Sequence, residues 1–289
     1  MNQLKLSVVI PAYNEEQNIA ATLKDLSAAL RGASIPYEII VVNDNSLDST
    51  ASVVRTAGAA DPAVRLVNRE PPGGFGRAVR AGLDAVQGDV VVIYMADLSD
   101  HPKDAVAYYR KIEEGYDCVF GSRFVRGGSV EQYPLLKLIV NRIVNKLVQW
   151  LFWCPFNDLT NAFKAYRTHV IASCGPYRAS HFNLTIEMSL SALVRKYSIA
   201  QIPIHWQGRT WGSSKLNLFQ MGRRYLSVLL KVYAEKLLVA DDLVAERLAR
   251  RAQTEGVERN VEQRLAQAEA RLAEIEAQLR NKPSMRERE

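Results

Sequence analysis

Asp97 and Asp100 stand three residues apart, with Ser99 between them and His101 next, just after the most apolar run of the chain, DVVVIY at 89–94. Carboxylate oxygens at a strand end suit Mg2+ or Mn2+ bound to substrate phosphates, because hard cations take oxygen in preference to nitrogen. Asp97 is the metal candidate. Asp100 has two readings, a second ligand or the cap of a helix opening near Pro102, and capping is preferred. His101 has no second histidine at zinc spacing. Pro11, Ala12, Tyr13, Asn14 and Glu15 follow an apolar run at 6–10, and Asp44, Ser46 and Asp48 follow another at 38–42. A ring flanked by amide and carboxylate groups can stack on and hydrogen-bond a nucleobase. Each cluster alone also suits an ordinary turn or cap; together at one sheet mouth they favour a nucleotide site. Pro72-Gly73-Gly74-Phe75-Gly76-Arg77 opens a helix, so backbone N–H groups around Gly76 and Arg77 can face an anion. Neither the dinucleotide spacing G-x-G-x-x-G nor the phosphate loop G-x-x-x-x-G-K-[ST] is present, which argues against a nicotinamide enzyme and a P-loop ATPase.

These groups need a frame that brings separate turns to one edge. Runs at 6–10, 38–42, 64–67, 89–94 and 116–121 read as strands, the first ended by Pro11. Helical patterns fall at 18–30, 48–57, 77–87 and 102–113. Near-continuous apolar strands alternating with helices predict an α/β fold with a mostly parallel sheet, whose ligands sit beyond the strands' C-terminal ends. The polar clusters above all fall there.

The chain has 289 residues, 48% apolar and 24% charged, a globular balance. Residues 1–240 carry a net +7 and 241–289 carry −1, so the positive field belongs to the main body and suits an anionic substrate or membrane surface. Three cysteines at unrelated spacings predict no disulfide framework and a reducing compartment. The first residues lack a secretion signal, and no run of 18 apolar residues is free of charge, so no spanning helix is expected. Residues 132–156 form a helix pattern carrying Lys137, Arg142 and Lys146 and ending in Trp150, Phe152 and Trp153. It reads either as a helix packed on the core or as one lying in a membrane interface; an apolar, basic stretch at 216–240 favours the second. In the tail, Val261, Leu265, Ala268, Leu272, Ile275 and Leu279 repeat at heptad spacing. Self-association through 257–282 is preferred over folding back on the domain.

Taken in order, the motifs resemble a family 2 glycosyltransferase with the GT-A fold, of the polyprenyl-phosphate (dolichyl-phosphate) mannosyltransferase-like branch. The resemblance runs from SVVIPAYNEE at 7–16 through VNDNSLDST at 42–50, Asn68, the glycines at 73–82 and YMADLSDHP at 94–102. It continues through GSR at 121–123, NDLTNAFKAY at 157–166, Glu187 and RTWGSSK at 209–215. The usual D-x-D reads Met95-Ala96-Asp97, so the first acid is missing and the metal leans on Asp97, helped by Ser99. The usual D-D-[GN]-S reads Asn43-Asp44-Asn45-Ser46.

The resemblance implies inverting transfer of a hexose, mannose from GDP-mannose by preference, to a polyprenyl monophosphate at the cytoplasmic membrane face. Its donor site would use Pro11, Ala12, Tyr13, Glu15, Asp44, Asn68, Gly76, Arg77 and Asp97 with Mg2+ or Mn2+. Arg123, Arg209 and Lys215 would hold the acceptor phosphate and Ser214 would donate its hydroxyl, since guanidinium matches phosphate in bidentate fashion. Asp158 either orients these cations or is a structural partner. The domain reading is a catalytic part at 1–220 that includes 132–156, connecting helices at 221–250 and an oligomerising helix at 251–289. Alternatives are a UDP-glucose-dependent polyprenyl-phosphate glucosyltransferase, a carbohydrate acceptor, or a scaffold without catalysis. Nucleic-acid binding is not expected, because no aromatic platform or reading helix accompanies the basic groups.

Overall fold

The computed structural model of the chain describes residues 3–208 and 218–253. Its first half alternates β1 (Leu6–Ala12), α1 (Ile19–Gly32), β2 (Tyr37–Asn43), α2 (Thr50–Ala60), β3 (Val64–Asn68), α3 (Phe75–Asp84), β4 (Val90–Ile93), α4 (Pro102–Glu113) and β5 (Cys118–Ser122). Every residue of β1 and β4 is buried, which is why these strands read as continuous apolar runs. Ile19, Leu23, Leu26 and Leu30 form the buried stripe of α1. The remaining elements are β6 (Ser129–Glu131), α5 (Leu135–Phe152), β7 (Lys164–Arg167), α6 (Thr168–Cys174), α7 (Asn183–Val194), β8 (Ile199–Pro203), β9 (His205–Gln207) and α8 (Leu218–Leu238).

Seven strands form one sheet in the order β3-β2-β1-β4-β7-β5-β8, and β6 pairs with β9 in a second, two-stranded sheet. β7 is antiparallel to both β4 and β5, so the sheet is mixed. The expectation of a strand ending at Pro11 is corrected: β1 runs to Ala12, with Pro11 opposite Val42. The β1–β4 ladder ends at Val9, so on that side Pro11 withholds its missing N–H from no partner strand.

The amphipathic stretch is a helix, and its outer face is apolar. Leu135, Leu136, Ile139, Ile143, Leu147 and Trp150 are exposed along α5, while Asn145, Val148 and Phe152 are buried. Phe152 meets Tyr233 of α8 edge-on at 5.9 Å. Among the described residues, no helix is long and apolar enough to cross a membrane. The chain divides into two compact units, residues 1–240 and 241–289. The second is helical through residue 253, and the heptad segment 257–282 lies outside the described residues.

Candidate active site

Parallel pairing of β1 with β2 and β4 carries three polar turns to one edge of the sheet. Beyond β1, Asn14 adopts a left-handed backbone (φ 54°), its N–H donating to the Ser46 hydroxyl at 3.0 Å while its side-chain oxygen accepts from Leu47 N at 2.8 Å. Glu15 is buried, accepts from the Asn18 amide at 2.8 Å, and its own N–H donates to Thr50. Tyr13 is 45% exposed at the mouth, where a planar ligand can reach its ring. Pro11 and Ala12 lie in the last turns of β1, and Asp44 N–H donates to Ala12 O at 2.9 Å. The two clusters expected to serve a nucleotide are therefore joined.

Asp44 is committed on both oxygens. One pairs with Arg69, just beyond β3, and the other accepts from Gly74 N at 2.6 Å. Asn43 donates to Asn68 at 3.0 Å, which places Asn68 beside the same corner. Gly74 has φ +147°, and a Cβ there would lie 2.5 Å from Ser180 O. A Cβ on Gly76 would lie 2.5 Å from Ala179 O. The glycines thus let residues 179–181 lie directly on the start of α3. Arg77 donates to Gly73 O at 2.9 Å.

Asp97 is 3% exposed at the end of β4. The Ser99 hydroxyl donates to Asp97 Oδ1 at 2.5 Å, with Ser99 N–H on the same oxygen at 3.2 Å, so Ser99 orients the carboxylate. The expected cap is corrected: His101 caps α4, its Nδ1 accepting from Lys103 N at 3.1 Å. Asp100 instead turns inward and accepts from Met95 N at 3.0 Å, closing the turn that presents Asp97. Burial, and then the charge of Asp97, push the Asp100 carboxyl up to about 8. The donor chemistry fits a divalent cation: hard oxygen ligands, at a buried carboxylate with a second buried acid three residues on. Among the described residues no group of three His, Cys, Asp or Glu could hold a metal alone. A site of that kind is completed by substrate phosphates and water.

On the other side of β4, Arg123 is bidentate to Asp158, Nε at 2.8 Å and Nη2 at 2.7 Å, with its backbone N–H on the same carboxylate. Phe124, Tyr133 and Trp206 surround the guanidinium at 5.2, 5.6 and 5.7 Å from their ring centroids. Burial alone would lower the Arg123 pKa, and the Asp158 charge more than reverses this. Asp158 is thus the partner of Arg123, and the pair is nearly neutral together. Lys164 lies fully buried nearby, donating to Leu159 O at 3.0 Å and to Asn161 O. Burial pushes its amine down to about 7, against the pull of Asp158. Glu187 accepts from Arg178 N, Ala179 N and Lys231 Nζ, fixing the segment above α3. Arg209, Ser214 and Lys215 lie outside the described residues. Arg69, Lys164 and the Tyr133–Trp206 cage are the groups that sequence reasoning missed. A basic residue directly after β3 was the one available signal, for Arg69.

The sequence matches the glycosyl transferase family 2 profile over residues 7–183. It is 30% identical over 220 residues to the undecaprenyl-phosphate 4-deoxy-4-formamido-L-arabinose transferase of Yersinia enterocolitica, covering 75% of this chain and 64% of that protein. The chain therefore spans less than two thirds of that relative's length. It is 28% identical over 216 residues to the polyprenol monophosphomannose synthase of Mycolicibacterium smegmatis, covering 73% of this chain and 80% of that one. The fold is shared with glucosyl-3-phosphoglycerate synthase of Mycobacterium tuberculosis, solved with Mn2+, UDP and glucosyl-3-phosphoglycerate: TM-score 0.63, 21% identity, 80% of each chain. The same fold was solved with Mn2+, UDP-glucose and phosphoglyceric acid, at TM-score 0.61 and 20% identity. The expectation of inverting mannosyl transfer from GDP-mannose to polyprenyl phosphate is corrected by these structures. They pair this fold with UDP-glucose and a small phosphorylated acceptor.

Proposed function

This chain belongs to glycosyl transferase family 2, and from that we infer that it transfers a glucosyl group from UDP-glucose to an acceptor that carries a phosphate. The observation that carries the reading is the buried, Ser99-oriented Asp97 beside the joined Tyr13 and Asp44 turns, on a fold that holds UDP-glucose in a distant relative. Asp97 holds Mg2+ or Mn2+, which offsets the charge of the departing UDP. Tyr13, Glu15 and the Asp44–Arg69 corner frame the nucleoside, with Pro11, Ala12, Asn68 and Gly76 shaping its walls. Asp158 keeps Arg123 in one orientation at the acceptor side. The net positive charge for the acceptor phosphate comes from Arg209 and Lys215, with Ser214 as hydroxyl donor. Alignment of two anions and charge stabilisation are the protein's main contributions to such a transfer.

A second acceptor reading, glucosyl transfer from UDP-glucose to polyprenyl phosphate, is favoured by the exposed apolar stripe of α5. On that reading α5 lies in the interface at the cytoplasmic membrane face, and residues 257–282 gather several copies there. Incubating the protein with Mn2+, UDP-glucose or GDP-mannose, and either 3-phosphoglycerate or polyprenyl phosphate, tests both. Mass spectrometry should find a glucosylated product from UDP-glucose. A product from GDP-mannose alone would overturn the donor assignment, and the acceptor that gains mass separates the two readings.

A further inference from the structure

Away from Asp97, a groove of about 920 Å³ runs along α3, walled on its far side by α6 and residues 175–177. Its volume is that of a small-molecule site. Arg69, Arg77 and Arg80 belong to its lining. Arg77 and Arg80 are one turn apart on α3, so they share a face. Their hydrogen bonds go to main-chain carbonyls, Arg77 to Gly73 O and Arg80 to Tyr177 O, both at 2.9 Å. A carbonyl fixes the planar fork without cancelling its charge, and each guanidinium keeps further N–H donors. Among the described residues neither arginine has an ion-pair partner, whereas Arg69 has Asp44. Leu83, Ile171 and Pro176 add apolar surface to the lining, which also contains Asp84.

We propose that this groove is a second binding site, for an organic phosphate, that adjoins the donor corner at Arg69 and extends away from it along α3. The phosphate sits against Arg77 and Arg80, and the apolar body lies along Leu83, Ile171 and Pro176. Oriented, unneutralised guanidinium groups select a phosphate, and the adjoining apolar wall selects a phosphate that carries a hydrophobic group. Arg69 is held by Asp44 of the donor corner, which leaves the charges of Arg77 and Arg80 for the second ligand.

Phenyl phosphate is the probe, titrated calorimetrically into the full chain with UDP and Mn2+ in excess. The wild type should bind it more tightly than inorganic phosphate. Arg80→Gln should weaken binding at least about tenfold, and Arg80→Lys less, as expected when a charged phosphate contact is lost or kept. Because Arg80 also ties Tyr177, Ala172→Glu provides a second variant: it places a carboxylate on the opposite wall without touching that bond, and should weaken binding as strongly. Unchanged affinity in both Arg80→Gln and Ala172→Glu, or inorganic phosphate binding as tightly as phenyl phosphate, overturns the site. Titrating UDP separately reports on the donor pocket. Failure of UDP to bind the wild type refutes the donor reading and leaves the phenyl phosphate comparison valid.

Discussion

Asp97 and Asp158 are both buried acids, and their surroundings give them opposite tasks. Asp97 is oriented by the Ser99 hydroxyl and amide at the sheet edge, and on the proposed reading it takes the metal. Asp97→Ala should retain the fold and lose at least about tenfold in glucosyl transfer, since about 1.4 kcal/mol of lost transition-state stabilisation has that effect. Full activity in that variant, or in excess chelator, would remove the metal from the mechanism. Asp158 already has its cation. Asp158→Ala leaves the Arg123 guanidinium buried without a counterion, which costs about 3–5 kcal/mol; urea unfolding measures it, and a loss below about 1 kcal/mol would contradict the pairing. Lys164 gives a pH signature. Its amine titrates near 7 when folded, so between there and its ordinary value the unfolded chain binds more protons and stability rises with pH. Lys164→Met should flatten that rise between pH 7 and 10, and an unchanged slope would assign it to another group. Asp97, Gly76 and the Asn43–Ser46 turn were legible as residues, because their types and positions after strands carry the chemistry. That Asp44 is held by Arg69, or that three rings enclose Arg123, was not. Arg69 is 25 residues from Asp44 and Trp206 is 83 from Arg123, and no local pattern encodes such pairings.

At the scale of elements, periodicity revealed what is long and one-sided. α1, α4 and the apolar strands β1, β2 and β4 follow their patterns closely, because each buries one stripe or both faces. β7 escaped, since KAYR is four residues with charged ends and gains its place only by pairing with β4 and β5. α5 was legible as a helix, while the side it buries was not. Its stripe of Leu135, Leu136, Ile139, Ile143, Leu147 and Trp150 faces outward, beside exposed Lys146. An apolar stripe flanked by cations fits an anionic bilayer surface, with each basic residue worth about 1 kcal/mol near the surface. Arg142 is less available, because it donates to Asn157 O and lies over the Phe124 ring at 4.2 Å. Vesicles containing anionic lipid should therefore co-float with the protein, less so in high salt. Leu136→Glu with Trp150→Glu should reduce flotation more than charge reversal at Lys137 and Lys146 does. Equal flotation of wild type and the double glutamate variant would mean that another surface meets the membrane.

For the whole molecule, the division at residue 240 separates a unit containing every described site residue from one that is helical through residue 253, the last described residue. The charge follows the same line, +7 before residue 241 and −1 after it, so electrostatic attraction to phosphates belongs to the first unit alone. The sequence pattern of the second unit, a heptad repeat, predicts self-association. Leu272 and Leu279 would each contribute roughly 1.5–3 kcal/mol if fully buried on a partner helix. As helix, the 26 residues from 257 to 282 would extend about 39 Å, with a seam of about three heptads. Association through that seam would set several catalytic units on one surface, where linked binding events raise retention without any new contact at the active site. Light scattering on the full chain and on a version ending at Arg251 should show a larger particle only for the full chain. Turnover of UDP-glucose with a soluble acceptor should be the same in both, because no described site residue lies beyond residue 240. A full chain and a truncated chain of the same oligomeric state would place the contact elsewhere. Lost turnover in the truncated chain would give the tail a part in catalysis that its sequence, lacking any acid, amide and aromatic cluster of the kind found at the sheet edge, does not suggest.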